Sequence, residues 1–234
     1  MQFIKAHTNG NDFVISADQI DETKIKLLSD RNLGIGCDQF ILIKYVSHNI
    51  YDVKFFNQDG SAAKMCGNGA CAAALYVHRF LDAQSFQFSL LISDNEYESI
   101  INENIVSIKF PMPKVLAEFE NIKLIDTGNN HLIYEFDSNI NLATLAETLN
   151  FKYPDYNLHF LKRLSVDVIK IVTFERGAGQ TKACGSGAIA AAFSVGLTGE
   201  MTVIHEGGES KVIINNNMLF LKTKPIIVFK GQIL

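Results

Sequence analysis

Residues 56–77 read FNQDGSAAKMCGNGACAAALYV, and residues 174–195 read FERGAGQTKACGSGAIAAAFSV. Laid over each other at an offset of 118, the two stretches agree at 10 of 22 positions, and Cys66 falls on Cys184. The offset is close to half of the 234-residue chain, so one repeat can fill it. The same register holds elsewhere. Gly10-Asn11 falls on Gly128-Asn129 and Gln39 falls on Asn157. The helix-like DETKIKLLSDRNL, from Asp21, falls on the helix-like NINLATLAETLNF, from Asn139. One offset over four separated segments reads as two copies of one folding unit.

Each copy mixes strands and helices. Apolar segments rich in Phe, Ile and Val predict strands from Phe13, Phe40, Tyr51, Ser107, His131 and Val168. Helices are expected over Glu22–Asp30, from Gly67 to about Leu81, around Leu142–Leu149, and from Gly185 to about Val195. The runs AAAL, from Ala72, and AAAF, from Ala190, suit a helix packed tightly inside a curved sheet. The proline-bearing FPMPKV, from Phe110, sits where a linker between copies belongs. The expected fold is α/β: two pseudo-symmetric domains, each a curved, mostly antiparallel sheet around a central helix. Residues 1–112 with 225–234 form the first domain and residues 113–224 the second. In this reading the last strand, PIIVF from Pro225, returns to the first domain.

Composition narrows the function. A hydrophobic content of 47% supplies real cores, and a net charge of −4 without a basic surplus argues against nucleic acid as a partner. No apolar run approaches the roughly 20 residues of a membrane helix, and the N-terminal MQFIKAHTNGNDF lacks a signal-peptide core, so a cytoplasmic location is expected. The four cysteines include no C-x2-C pair, and Cys66 and Cys71 are spaced C-x4-C. That spacing carries no structural zinc signature, and no metal is expected. Cys37 and Cys71 read as small buried hydrophobes.

Cys66 and Cys184 read differently, because each directly precedes Gly-x-Gly-Ala and then an Ala-rich helix. Each thiol then sits at a helix N-terminus, among unpaired N–H groups and the positive end of the helix dipole. That setting favours thiolate over thiol and also suits a bound carboxylate. Two matched thiols acting on opposite faces of one carbon would invert it, each serving as base in one direction and acid in the other. The helix N–H groups can stabilise the charge that develops on the carboxylate. The sequence has no dinucleotide-binding glycine loop and no Walker motif, so no cofactor is expected.

At these residues the chain resembles the diaminopimelate epimerase family, whose members are pyridoxal-independent two-cysteine epimerases and racemases. The matching motifs are GNDF at Gly10, GCDQF at Gly36, FNQDGS at Phe56, CGNGA at Cys66, GNNH at Gly128, ERGAGQTKACGSGA at Glu175 and, weakly, VFKGQIL near the end. The resemblance implies an active site in the cleft between the two domains and interconversion of LL- and meso-diaminopimelate, for lysine and peptidoglycan synthesis, with Cys66 and Cys184 as the two acid/base thiols. It assigns Gly67, Asn68, Gly185 and Ser186 as helix-end donors. Asn11, Gln39, Asn57, Asn129 and Asn157 hold substrate polar groups, and Glu175 and Arg176 complete the pocket. His131 and Glu175 tune the thiols. The small amino-acid substrate is the expected partner, with no membrane, and a homodimer is compatible with the family. Departures from the usual pattern are TNGNDF at Thr8 for GLGNDF, Cys71 for an Arg, Asn130 for a Pro, and Phe229 for a Tyr linked to dimer contact.

Two other readings stay open on sequence alone. One is a related racemase of another amino acid, such as proline, hydroxyproline or histidine. The other is a module that binds an amino acid without turnover.

Overall fold

Cys66 and Cys184 each begin a ten-residue helix on which no charged residue falls, Gly67–Tyr76 and Gly185–Ser194. A helix apolar on every face has to be enclosed. All ten residues of the first are buried, as are nine of the second. A computed structural model shows how the chain encloses them; it describes residues 1–82, 84–137 and 140–233. Asn139, where the second helix-like segment was expected to start, and Leu234, the last residue of the expected first domain, lie outside the described residues. The chain divides into two compact units, Met1–Lys109 with Thr223–Leu234, and Phe110–Lys222.

In the first unit the elements run β1 (Gln2–Thr8), β2 (Asn11–Ser16), α1 (Glu22–Ser29), β3 (Gln39–Ser47), β4 (Ile50–Asn57), β5 (Ala62–Ala63), α2 (Gly67–Tyr76), β6 (Gln87–Ile92), β7 (Asn95–Asn102) and β8 (Ile105–Phe110). The second unit follows with β9 (Lys114–Glu118), β10 (Ile122–Asp126), β11 (Asn130–Glu135), α3 (Leu142–Lys152), β12 (Asn157–Arg163), β13 (Val168–Glu175), β14 (Gly179–Thr181), α4 (Gly185–Ser194), β15 (Gly199–His205), β16 (Gly208–Asn215) and β17 (Met218–Thr223). A last strand, β18 (Ile226–Gln232), pairs antiparallel with β1.

Both units use the same ladder pattern. β2 pairs parallel with β3, β3 antiparallel with β4, and β4 parallel with β6. In the second unit β11 pairs parallel with β12, β12 antiparallel with β13, and β13 parallel with β15. Most of the other pairings are antiparallel hairpins, which need only short turns. The β1–β2 turn places Asn9 and Gly10 at φ 52° and 83°, the left-handed pair a tight hairpin requires, and so fixes Asn11 as the first residue of β2. The fold is mixed α/β and dominated by its sheets, as the sequence predicts.

The helices match the expected positions with shifted ends. α1 stops at Ser29, and α3 runs on to Lys152. The α-helical part of α2 ends at Tyr76, and the chain continues to Leu81 as a π-helical turn. The side chains under either central helix are constrained by how close the helix comes. A Cβ at Gly69 would meet the Phe55 ring at 2.8 Å, so that glycine is needed for α2 to seat.

Candidate active site

Cys66 is the N-cap of α2. Its backbone is extended, and its sulfur accepts the Gly69 N–H at 3.3 Å. Cys184 is the N-cap of α4, and its sulfur accepts the Gly187 N–H at 3.4 Å. Sulfur thus takes the place of the oxygen that Ser or Asp usually supplies to an unpaired N–H of the first turn. A thiolate gains more from that bond and from the helix dipole than a thiol does. The duplicated C-G-x-G is what permits it, since the second glycine of each brings its N–H to the sulfur while leaving room for the packed side chain below.

In the first unit the predicted residues Asn11, Gln39, Asn57, Cys66, Gly67 and Asn68 come together. The Cys66 sulfur lies 3.7 Å from Asn11 Oδ1, and Asn68 Nδ2 lies 3.5 Å from the same oxygen. The Asn68 carbonyl accepts the Thr8 hydroxyl at 3.0 Å. Gln39 and Asn57 face each other across β3 and β4, with Gln39 Nε2 donating to Asn57 Oδ1 at 3.2 Å.

A charged network behind these amides was not read from the sequence. Asp12 and Asp38, from the GNDF and GCDQF motifs, share Arg31: both carboxylates lie 2.7 Å from its Nη2. Lys5 Nζ adds an ion pair to Asp12 at 2.5 Å. Asn11 Nδ2 donates to Asp38 Oδ2 at 2.9 Å, which fixes which end of Asn11 faces the thiol. Burial alone would raise the Asp12 pKa, but hydrogen bonds from Arg31 and Lys5 and the charges of both hold it well below the usual carboxylate range.

In the second unit the structure gathers Asn157, Glu175, Arg176, Cys184, Gly185, Ser186 and His131, with Asn129 in the turn before β11. The Cys184 sulfur lies 3.6 Å from Ser186 Oγ. Asn157 Oδ1 accepts the Arg176 backbone N–H at 3.0 Å, and Glu175 Oε1 accepts the Thr181 hydroxyl at 2.7 Å. The Arg176 side chain is exposed, with Nη1 3.7 Å from Asp155 Oδ1. Cys37 and Cys71 lie in the core of the first unit, and burial pushes the Cys71 thiol up to about 12. Neither has the helix-cap setting of the other two.

Sequence reading missed a buried polar cluster under α4. His131 Nδ1 lies 2.8 Å from His159 Nε2, and His159 Nδ1 lies 3.0 Å from Thr173 Oγ1. One ligand-type atom each from His131, His159 and Cys184 fall within 4.8 Å of one another. Burial pushes the His131 pKa down to about 3 and the His205 pKa to about 4. Burial also takes His159 well below its ordinary value, with the neighbouring His131 and His205 adding to the effect. All three imidazoles are therefore neutral at pH 7. The signal was present in the repeat: at offset 118 His131 falls on Phe13, His159 on Ile41 and Thr173 on Phe55, so polar residues replace apolar ones.

The residues 3–106 match the family model described as diaminopimelate epimerase. The diaminopimelate epimerase of Campylobacter lari is 32% identical over 254 residues, covering 100% of this chain and 96% of that one. That of Campylobacter jejuni subsp. jejuni serotype O:6 is 36% identical over 204 residues, covering 80% and 78%. Among solved structures, a hydroxyproline epimerase from Agrobacterium vitis superposes with a TM-score of 0.71 at 11% identity, covering 100% of this chain and 90% of that one, a likeness of fold. The full-length match to relatives above 30% identity makes this chain an isomerase that belongs to the diaminopimelate epimerase family.

Proposed function

We propose that the protein interconverts LL- and meso-diaminopimelate by a cofactor-independent proton transfer between Cys66 and Cys184, in lysine and peptidoglycan synthesis. The observation that carries this reading is the matched setting of the two sulfurs, each accepting an N–H from the third residue of its own helix. An epimerase must run equally well in both directions, so its two acid/base groups need similar proton affinities. Two thiols in equivalent caps meet that demand, whereas a thiol opposite a carboxylate would not.

In the forward direction one cysteine, as thiolate, takes the α-proton, and the other, as thiol, donates to the opposite face. The S–H bond that forms on one cysteine and the one that breaks on the other balance, so the enzyme ends one turnover with the thiol and thiolate exchanged. Negative charge passing into the α-carboxylate is met by N–H groups at the starts of α2 and α4. Asn11, Gln39, Asn57, Asn68, Asn129 and Asn157 supply neutral donors and acceptors for the substrate's ammonium and carboxylate ends. Arg176 adds a fork able to hold a carboxylate, and Glu175 and His131 tune the thiols.

The test is solvent exchange. In deuterium oxide, each diaminopimelate isomer should gain deuterium at the inverted α-carbon, and Cys66→Ser or Cys184→Ser should slow inversion at least about 100-fold. Undiminished inversion in either variant would refute the two-thiol assignment. A panel including proline, hydroxyproline and histidine fixes the substrate, since faster turnover of one of these would replace diaminopimelate.

A further inference from the structure

The two cysteines share a helix-cap setting, but the ground beneath them differs. Under α2 the repeat places Phe13, Ile41 and Phe55, all buried and apolar. Under α4 the same positions hold His131, His159 and Thr173. Tuning of the thiols accounts for His131, but proton transfer at two matched thiols gives no role to His159 and Thr173. We propose that His131, His159 and Cys184 form a binding site for a divalent cation of the zinc class, which captures the Cys184 thiolate.

The donor set is one that such a cation selects: two imidazole nitrogens and one thiolate, leaving a fourth position open. The three ligand atoms lie within 4.8 Å of one another. At ordinary zinc bond lengths a tetrahedral set is about 3.3 to 3.6 Å apart, so the widest separation needs to close by only about an ångström. His131 Nδ1 and His159 Nε2 stand 2.8 Å apart; the cation spreads them by about half an ångström, and the proton between them passes to whichever outer ring nitrogen is bare, His131 Nε2 or His159 Nδ1. Thr173 Oγ1, 3.0 Å from His159 Nδ1, supplies the outer-sphere hydrogen bond that fixes the tautomer and turns Nε2 toward the cation. His131 Nε2 is fully buried and makes no hydrogen bond to a described residue, so either nitrogen of that ring is available. Burial keeps both rings neutral, the form in which imidazole binds a metal.

On loading, the Cys184 thiol gives its proton to solvent, a sulfur–metal bond forms, and the cation sheds the waters that the three ligands replace. The imidazoles stay neutral and nothing is oxidised or reduced. At the counterpart positions of the first unit, Phe13, Ile41 and Phe55 carry no ligand atom, so the Cys66 thiol serves as an internal control.

The experiment is a titration of the full chain, with thiols reduced and oxygen excluded, by Co2+ as a spectroscopic stand-in for Zn2+. One equivalent should produce a thiolate-to-cobalt charge-transfer band and visible bands of tetrahedral intensity, both erased by Zn2+. Cys184→Ser should remove the charge-transfer band, Cys66→Ser should leave it, and His159→Ile should weaken binding at least about 100-fold. In the unmodified chain Zn2+ should protect Cys184, and not Cys66, from iodoacetamide. The absence of a band at one equivalent, a band that follows Cys66, undiminished binding in His159→Ile, or equal protection of the two thiols would each overturn the proposal. Should His159→Ile not fold, Thr173→Val decides: about tenfold weaker binding supports the site, and unchanged binding overturns it. None of these readouts depends on epimerase activity.

Discussion

Gly187 of α4 rests directly on the imidazole of His159: a Cβ built at position 187 would overlap His159 Cε1. The helix that carries Cys184 as its cap therefore reaches its seat only because this position has no side chain. The counterpart, Gly69 against Phe55, is less tight at 2.8 Å. Gly187→Ala should destabilise the second unit by about 1 to 3 kcal/mol through overpacking, and more than Gly69→Ala destabilises the first. Urea unfolding of the two variants compares them directly, and equal or reversed losses would contradict the packing described.

Acid should weaken the fold through the three buried histidines. Their folded pKa values are lowered, while in the unfolded chain each titrates near 6.5, so the unfolded state binds more protons below that pH. Stability from keeping them neutral is fully present above about pH 6.5. It falls as pH drops toward 4, by up to about 1.4 kcal/mol per pH unit for each histidine. His205, with neither ring nitrogen hydrogen-bonded to a described residue, stands where the sheet register of the first unit has Ile92. His205→Ile should be no less stable at pH 7 and should remove about one proton from the uptake measured on unfolding at pH 5.

Asp12 gives a second, separate acid limb. Its carboxyl is held well below the usual range, so its contribution is complete above about pH 4 and is lost as pH falls below that. Asp12→Asn leaves Lys5 and Arg31 short of a partner and should cost about 1 to 3 kcal/mol at pH 7. Chemical denaturation from pH 7 to 3 should show the gap between variant and parent narrowing only in the lowest pH range. Because Arg31 also binds Asp38, which holds Asn11, the same variant should lower epimerase activity more than its stability loss explains.

Thiol labelling should sort the four cysteines by their surroundings. Cys37 and Cys71 are fully buried, and burial raises the pKa of each, Cys71 to about 12. Iodoacetamide at pH 8 should reach Cys66 in the native chain and spare Cys37 and Cys71 until denaturant is added, as read by peptide mass spectrometry. Rapid native labelling of Cys71 would contradict its placement inside α2.

Substituting the capping thiols should separate chemistry from folding. A serine hydroxyl is a better helix cap than a thiol, so Cys184→Ser should unfold at a temperature no lower than the parent while inversion collapses. A thermal scan beside the exchange assay tests this. Loss of activity together with loss of the fold would leave the cap description wrong.

Much of this protein was legible as sequence. The 118-residue offset paired Cys66 with Cys184, and C-G-x-G-A before an alanine run placed both at helix starts, because capping and helix propensity act within a few residues. The strands from Phe13, Phe40 and Tyr51 were equally plain, being apolar and bounded by turns. β7 was not: NEYESIIN carries two acids and buries only Ser99 and Ile101. Its place is set by pairing with β6 and β8, which no local signal encodes. The site divides in the same way. Which residues cap the helices was settled by neighbours in the chain. That His131, His159 and Thr173 meet beneath Cys184 was settled by the register of three strands and by one missing side chain at Gly187, contacts between residues tens of positions apart that only the folded sheet brings together.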